Sequence, residues 1–165
     1  MSEVVVRLGH RRWFAAAGRF LMPLDRRLIR LTRGRLSVIG WRTAPPTLLL
    51  TTRGRTSGLL RERPLLYARD GDAYVVLGSN WGQARHPAWS GNLLADPAAT
   101  MTIDGETTTV RATLLEGPER DRVWPLLLRV WPAYRDYDAR ADRTLRIFRL
   151  DPVRRDNADM GGKAG

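Results

Sequence analysis

The sequence predicts an α+β fold in which antiparallel hairpins close into a small barrel with helices packed around it. Three observations predict it. Short apolar runs of strand length alternate with breakers from residue 46 onward. Aspartate–glycine pairs at Asp70-Gly71 and Asp104-Gly105 sit between such runs, where tight hairpin turns belong. Helical spacing marks an N-terminal segment, the stretches after Pro87 and Pro118, and the Trp131 to Tyr137 run.

The elements follow in order. Within a first segment, residues 1–45, Trp13, Phe14, Ala17, Phe20 and Leu21 recur at helical spacing with arginines between them, and Leu24, Leu28 and Leu31 continue the pattern after Pro23. A basic amphipathic helix of this kind, over residues 10–31, suits peripheral association with an anionic membrane surface. It suits packing on the domain or on a second subunit equally well. The arginines interrupt every apolar run, so neither a secretory signal nor a spanning helix is expected.

Residues 46–152 carry the expected barrel domain. Thr47 to Thr52 reads as a buried strand. Arg61 to Ala68 and Ala73 to Ser79 read as two more, joined through Arg69-Asp70-Gly71-Asp72. His86-Pro87 opens a short helix to Ala95, with Pro87 in its first turn and Asp96-Pro97 as its stop. Ala99 to Ile103 and Thr107 to Leu115 form a hairpin across Asp104-Gly105. Pro118 starts a helix toward Val130 that Pro125 should bend. Leu145 to Leu150 is a last strand, and residues 153–165 form a polar, glycine-rich tail expected to be loose.

Composition narrows the chemistry. In 165 residues there is no cysteine, which removes thiolate catalysis, disulfides and thiolate-bound metals and suits a cytoplasmic protein. His10 and His86 are the only histidines and lie far apart, so no metal site is expected. An organic cofactor is then the expected source of reactivity. With 28 basic against 17 acidic residues the formal net charge is +11, and only Lys163 is not arginine, which favours anionic partners.

Three segments carry candidate chemistry. In Thr51 to Gly58 two glycines, hydroxyls and two arginines form either an anion cradle or a solvated turn. In Gly78 to Trp89 a strand end leads through a loop to a helix start. Trp81 and Trp89 there are either walls of a flat ring site or core residues. Trp131, Tyr134 and Tyr137 fall three apart on one helical face, a spacing that more often serves packing than catalysis.

Taken together these segments resemble one family, the deazaflavin (coenzyme F420)-dependent nitroreductases and quinone reductases. The run Leu48 to Gly58 with Arg61 and Pro64-Leu65 is similar to the family's first signature. Ser79-Asn80-Trp81-Gly82, His86-Pro87-Ala88-Trp89, Asn92-Leu93 and Asp96-Pro97 are similar to the second. Trp131 to Tyr137 with Asp142-Arg143 is similar to the third. The resemblance covers roughly Pro46 to Pro152.

The resemblance implies a split β-barrel of the FMN-binding, pyridoxamine-oxidase-like kind, holding F420, with FMN the less favoured cofactor. Arg53, Gly54, Arg55, Thr56, Ser57, Gly58, Arg61 and Pro64 match the loop that grips the phosphate and acidic tail. Gly78, Ser79, Asn80, Trp81, Gly82, Arg85, His86, Pro87 and Trp89 match the segment along the deazaflavin ring, with Asn92 on the helix behind. Trp131, Tyr134 and Tyr137 match the substrate pocket, with Tyr134, Tyr137 and Ser79 as the expected catalytic residues. Thr56 stands where many members carry lysine, Asn80 where some do, and Trp131 where some carry tyrosine. Arg53, Arg55, Arg61 and Arg85 are placed to supply the missing charge.

The expected activity is hydride transfer from reduced F420 to a small electron-poor acceptor, a quinone such as menaquinone or a nitroaromatic. The alternatives are reduction of an unsaturated lipid or non-catalytic carriage of F420 or a flavin. Nucleic-acid binding is not expected, because the aromatics sit within the cofactor motifs and not along a basic stripe. The chain is expected as a monomer or homodimer, cytoplasmic or at the inner face of the membrane.

Overall fold

Leu48, Leu50 and Thr52 are buried while the residues between them are only partly covered, the period-two signature of a strand with one face on a core. In the computed structural model this strand is β1 (Thr47–Arg53). The structure describes residues 45–153, so the N-terminal amphipathic segment and the C-terminal tail lie outside the described residues. β2 (Leu60–Asp70) and β3 (Ala73–Gly78) follow, then a single 3-10 turn over Asn80–Gly82 and helix α1 (Ala88–Ala95). β4 (Ala98–Ile103), β5 (Glu106–Leu115), α2 (Gly117–Val130), α3 (Tyr134–Arg140) and β6 (Arg146–Pro152) complete the order.

The six strands close into one antiparallel barrel in the order β1-β2-β3-β6-β5-β4. Both aspartate–glycine turns form as expected. At the β4–β5 hairpin Asp104 (φ 50°) and Gly105 (φ 88°) are both left-handed, with Ile103 paired to Glu106, the geometry of a two-residue turn matched to strand twist. β6 enters between β3 and β5, pairing Val76 with Phe148 and Ala112 with Leu150. Short β1–β4 pairing over Leu49–Thr51 completes the ring and leaves no long open edge.

Two apolar clusters divide the side chains. Leu48, Leu50, Val76, Met101, Val110, Phe148 and Leu150 fill the barrel, with Trp89 and Leu93 of α1 packed onto them. On the outside of the sheet, Val75, Leu77 and Ile147 meet Val123 and Leu127 of α2 and Tyr134 and Tyr137 of α3. β3 is therefore covered on both faces, which explains why Val75-Val76-Leu77 is continuously apolar and does not alternate. Each fully buried leucine or isoleucine contributes about 1.5–3 kcal/mol relative to exposure.

The element ends differ from expectation by one or two residues, as fraying boundaries do. Pro87 is the residue before α1 (φ −64°, ψ 143°) and not its first turn, because α1 begins at Ala88. Pro125 lies inside α2 without ending it. The aromatic stripe needs one correction. Trp131 terminates α2 in an extended conformation (φ −145°, ψ 94°), so only Tyr134 and Tyr137 share a helix. Pro132, which follows directly, disfavours helical backbone at Trp131 and supplies the physical reason.

Candidate active site

The first motif is a closed turn between β1 and β2. The Gly54 N–H donates to the Leu59 carbonyl (2.8 Å) and the Gly58 N–H to the Gly54 carbonyl (2.7 Å), while the Arg53 guanidinium bonds the Gly58 carbonyl (2.9 Å). Gly58 is left-handed (φ 67°) and open to solvent, so glycine answers a backbone need there. Thr56 and Ser57 are exposed at the tip, and Arg61 is exposed on β2 alongside Pro64.

Asn92 joins this turn to the second motif. It lies on α1, is 5% exposed, and donates through Nδ2 to the Thr52 hydroxyl on β1 (3.0 Å). Its Oδ1 accepts the backbone N–H of Arg55 (3.2 Å), 37 residues earlier in the chain. The Arg55 side chain then runs over the first turns of α1 and donates to the Ala88 carbonyl (3.4 Å). Gly91 makes room for it: a Cβ at that position would stand 2.6 Å from Arg55 Nη1. No side chain caps α1, and no acid lies in its first turn.

The second motif is a tightly wound loop. Asn80 (φ 47°), Trp81 (φ 59°) and Gly82 (φ 72°) are successive left-handed residues, two of them non-glycine and so costing about 1–3 kcal/mol each. Gly82 permits close approach to α3, since a Cβ there would stand 3.1 Å from both Cα and carbonyl oxygen of Tyr137. Asn80 Nδ2 closes the loop on the Arg85 carbonyl (2.9 Å). Gly78 is buried at the end of β3, Ser79, His86 and Pro87 are half-buried, and Arg85 is exposed. Trp89 is a barrel residue against Phe148, with ring centroids 5.7 Å apart, whereas Trp81 faces Tyr137 at 6.1 Å. Of the two tryptophans, Trp89 is therefore a core residue.

The third motif packs behind that loop. Tyr134 is 5% and Tyr137 1% exposed, with ring centroids 6.1 Å apart, and Trp131 is buried beside them. The Trp131 indole N–H donates to the Tyr137 hydroxyl (3.4 Å), and the Arg140 guanidinium lies 5.1 Å from the Tyr137 ring centroid. Burial raises both phenols above the ordinary tyrosine range, reinforced at Tyr134 by its neighbour Tyr137. Both remain protonated at neutral pH. A protonated phenol donates a hydrogen bond, and a raised one surrenders its proton reluctantly.

One residue of the third motif connects it to the second in a way its spacing does not reveal. Arg143, three residues beyond α3, inserts its guanidinium into the 78–86 loop and bonds four carbonyls and His86 Nδ1. Its signal is the Asp142-Arg143 pair at the end of the third motif, although spacing alone does not point it at the second. Gly91 and Thr52 also emerge only from three-dimensional contact.

The arrangement suits a polyanion bearing a flat ring. The Arg55 guanidinium lies over the first turns of α1, which no side chain caps, and among the described residues no ion pair engages Arg53, Arg55, Arg61 or Arg85. Among the described residues no cluster of His, Asp or Glu suited to a metal occurs. No helix among them is long and apolar enough to cross a membrane.

Comparison with known proteins agrees with this chemistry. The family model of F420H(2)-dependent quinone reductases matches residues 25–152. The F420H(2)-dependent quinone reductase Rv1261c of Mycobacterium tuberculosis is 34% identical over 135 residues, spanning 79% of this chain and 89% of its own. A solved F420-H2 dependent reductase, FDR-A, superposes with a TM-score of 0.60 at 31% identity over 64% of this chain and 94% of its own. A further solved structure, described as a domain-swapped dimer, gives a TM-score of 0.62 at 26% identity over 82% of this chain and 99% of its own.

Proposed function

The chain belongs to the F420H(2)-dependent quinone reductase family, and from that premise we propose how its own residues divide the work. It is a split-barrel oxidoreductase that uses reduced F420 and acts on quinones. When bound, the reduced deazaflavin supplies the hydride.

The observation that carries the assignment is Asn92, whose amide ties Thr52 and the Arg55 backbone to α1 and so joins the two basic motifs into one seat. Arg55, with Arg53, Arg61 and Thr56–Gly58 of the same turn and strand, would hold the cofactor's phosphate and acidic tail. Guanidinium forks give charge and direction in place of the lysines that Thr56 and Asn80 replace. The 78–86 loop would line the deazaflavin ring, and Ser79 is the residue of that loop that we assign to the reacting end. Trp131 and the two tyrosines form the wall behind the acceptor, and solvent is kept off it by their packing against Trp81. Tyr134 and Tyr137, protonated at neutral pH and raised further by burial, would donate hydrogen bonds to the acceptor oxygen and stabilise the charge that develops there. Menaquinone is the proposed natural acceptor, with nitroaromatics adventitious. We further propose that the chain works as a monomer or homodimer at the cytoplasmic membrane face.

A fluorescence titration of the purified chain with F420 and FMN, at two salt concentrations, tests the seat. Micromolar F420 binding that weakens with salt, with little FMN binding, is expected. Preference for FMN would sink the arginine assignment. Replacing both tyrosines by phenylalanine is expected to slow quinone turnover about 10²-fold with F420 affinity nearly intact; unchanged turnover would remove their role.

A further inference from the structure

We infer that Arg143 is a positioning residue for the cofactor seat: its guanidinium holds the 78–86 loop in shape and fixes the His86 proton on Nε2. The inference rests on the reading of that loop as part of the F420 seat and adds to it a residue from elsewhere in the chain.

The geometry is specific. Nε of Arg143 donates to the Gln83 carbonyl (3.1 Å). Nη2 reaches the carbonyls of Ser79 (3.1 Å), Arg85 (3.3 Å) and Gly78 (3.4 Å). Nη1 lies 3.0 Å from His86 Nδ1. All these partners belong to one short segment, 57 to 65 residues earlier in the chain. The left-handed Asn80 and Trp81 sit inside the span that Arg143 clamps. Residues held in sparsely populated backbone regions persist only where surrounding contacts over-determine them, and Arg143 adds its bonds to those the loop makes within itself through the Gly82 and Gln83 N–H groups and the Asn80 amide. A lysine would offer one point of charge where this site takes a planar fork with donors in several directions.

The histidine follows from the same fork. Arginine carries no acceptor, so His86 Nδ1 must accept and the ring proton must sit on Nε2. A proton added at Nδ1 would remove that acceptor and place a cation against Arg143. The charged groups acting on the ring are Arg143 from the segment after α3 and Arg146 on β6, with the exposed Arg85 preceding His86 in the loop. None is acidic, and no salt bridge to His86 occurs among the described residues. Burial first, then Arg143 and Arg146, lowers the His86 pKa below the ordinary histidine range. The sign is therefore that of a depressed group. The loop is fully supported above the ordinary histidine pKa and loses support as pH falls through the lowered one.

Nitrogen NMR of His86 in the cofactor-free wild-type chain comes first, because it needs no variant. The Nε2–H tautomer, titrating below the ordinary range, is expected; an Nδ1–H tautomer overturns the inference. Arg143→Gln and Arg143→Lys follow. In Arg143→Gln the His86 titration should rise toward the ordinary value, and Kd and KM for F420 should each rise about tenfold or more, with kcat changed less than about threefold. Arg143→Lys should restore less than half of the lost affinity. A melting-point loss in Arg143→Gln with unchanged Kd and unchanged His86 titration would mean a structural role only and overturns the inference. If the wild type does not bind F420, the cofactor reading fails by itself, and the His86 signals alone then decide whether Arg143 sets the loop.

Discussion

Two neighbouring residues on α1 separate binding from stability. Gly91 lies within the helix, where alanine is favoured by about 0.5–1 kcal/mol, and the three atoms nearest its absent Cβ all belong to the flexible Arg55 guanidinium. Gly91→Ala should therefore leave the melting temperature unchanged or slightly raised while weakening F420 binding about three- to tenfold, because Arg55 must move. Asn92 is the opposite case. Asn92→Ala orphans the Thr52 hydroxyl and the Arg55 N–H, at about 1–3 kcal/mol for buried groups, so both melting temperature and F420 affinity should fall. Thermal melts and cofactor titrations on the two variants check the contrast; parallel losses in both would break the account of Arg55.

At the scale of elements, the decisive contact is between the 80–82 turn and α3. Gly82 has φ 72°, and its absent Cβ would press on the backbone of Tyr137, which cannot swing aside as a side chain can. Gly82→Ala should cost about 1–3 kcal/mol and push the loop away from the tyrosine helix. The melting temperature should fall and the KM for quinone should rise. A stable variant with normal KM would show that the turn and α3 are not coupled. The tyrosine pair is legible from its three-residue spacing, and its helix forms as that spacing requires. The same spacing wrongly places Trp131 on that helical face, because periodicity counts residues and does not see Pro132 forcing the residue before it out of helix.

For the whole molecule, charge and the first segment set the remaining question. The full chain carries a formal +11, nearly all from arginine, and residues 10–31 interleave aromatics with arginines. Such a segment adds about 1 kcal/mol of attraction per cation near an anionic surface. The expected outcome is co-sedimentation of the full chain with vesicles containing phosphatidylglycerol, lost on deleting residues 1–31 and absent with neutral vesicles. Binding unchanged by the deletion would assign attraction to the barrel's arginines, and no binding at all would end the membrane reading.

By itself the sequence determined the strands, both aspartate–glycine hairpins, the helix after Pro87 and the two basic motifs, because each is written in contiguous residues by alternation, turn chemistry or a breaker. Local pattern is a local cause, and it can be read locally. Only the tertiary structure decided that β6 lies between β3 and β5, that Asn92 fastens the first motif to the second, that Trp89 packs in the barrel on Phe148 and Trp81 on Tyr137, and that Arg143 reaches back into the 78–86 loop. Those outcomes depend on which distant surfaces exclude water together and on which buried carbonyls need a donor. Such requirements are met across tens of residues and leave no periodicity in the chain that meets them.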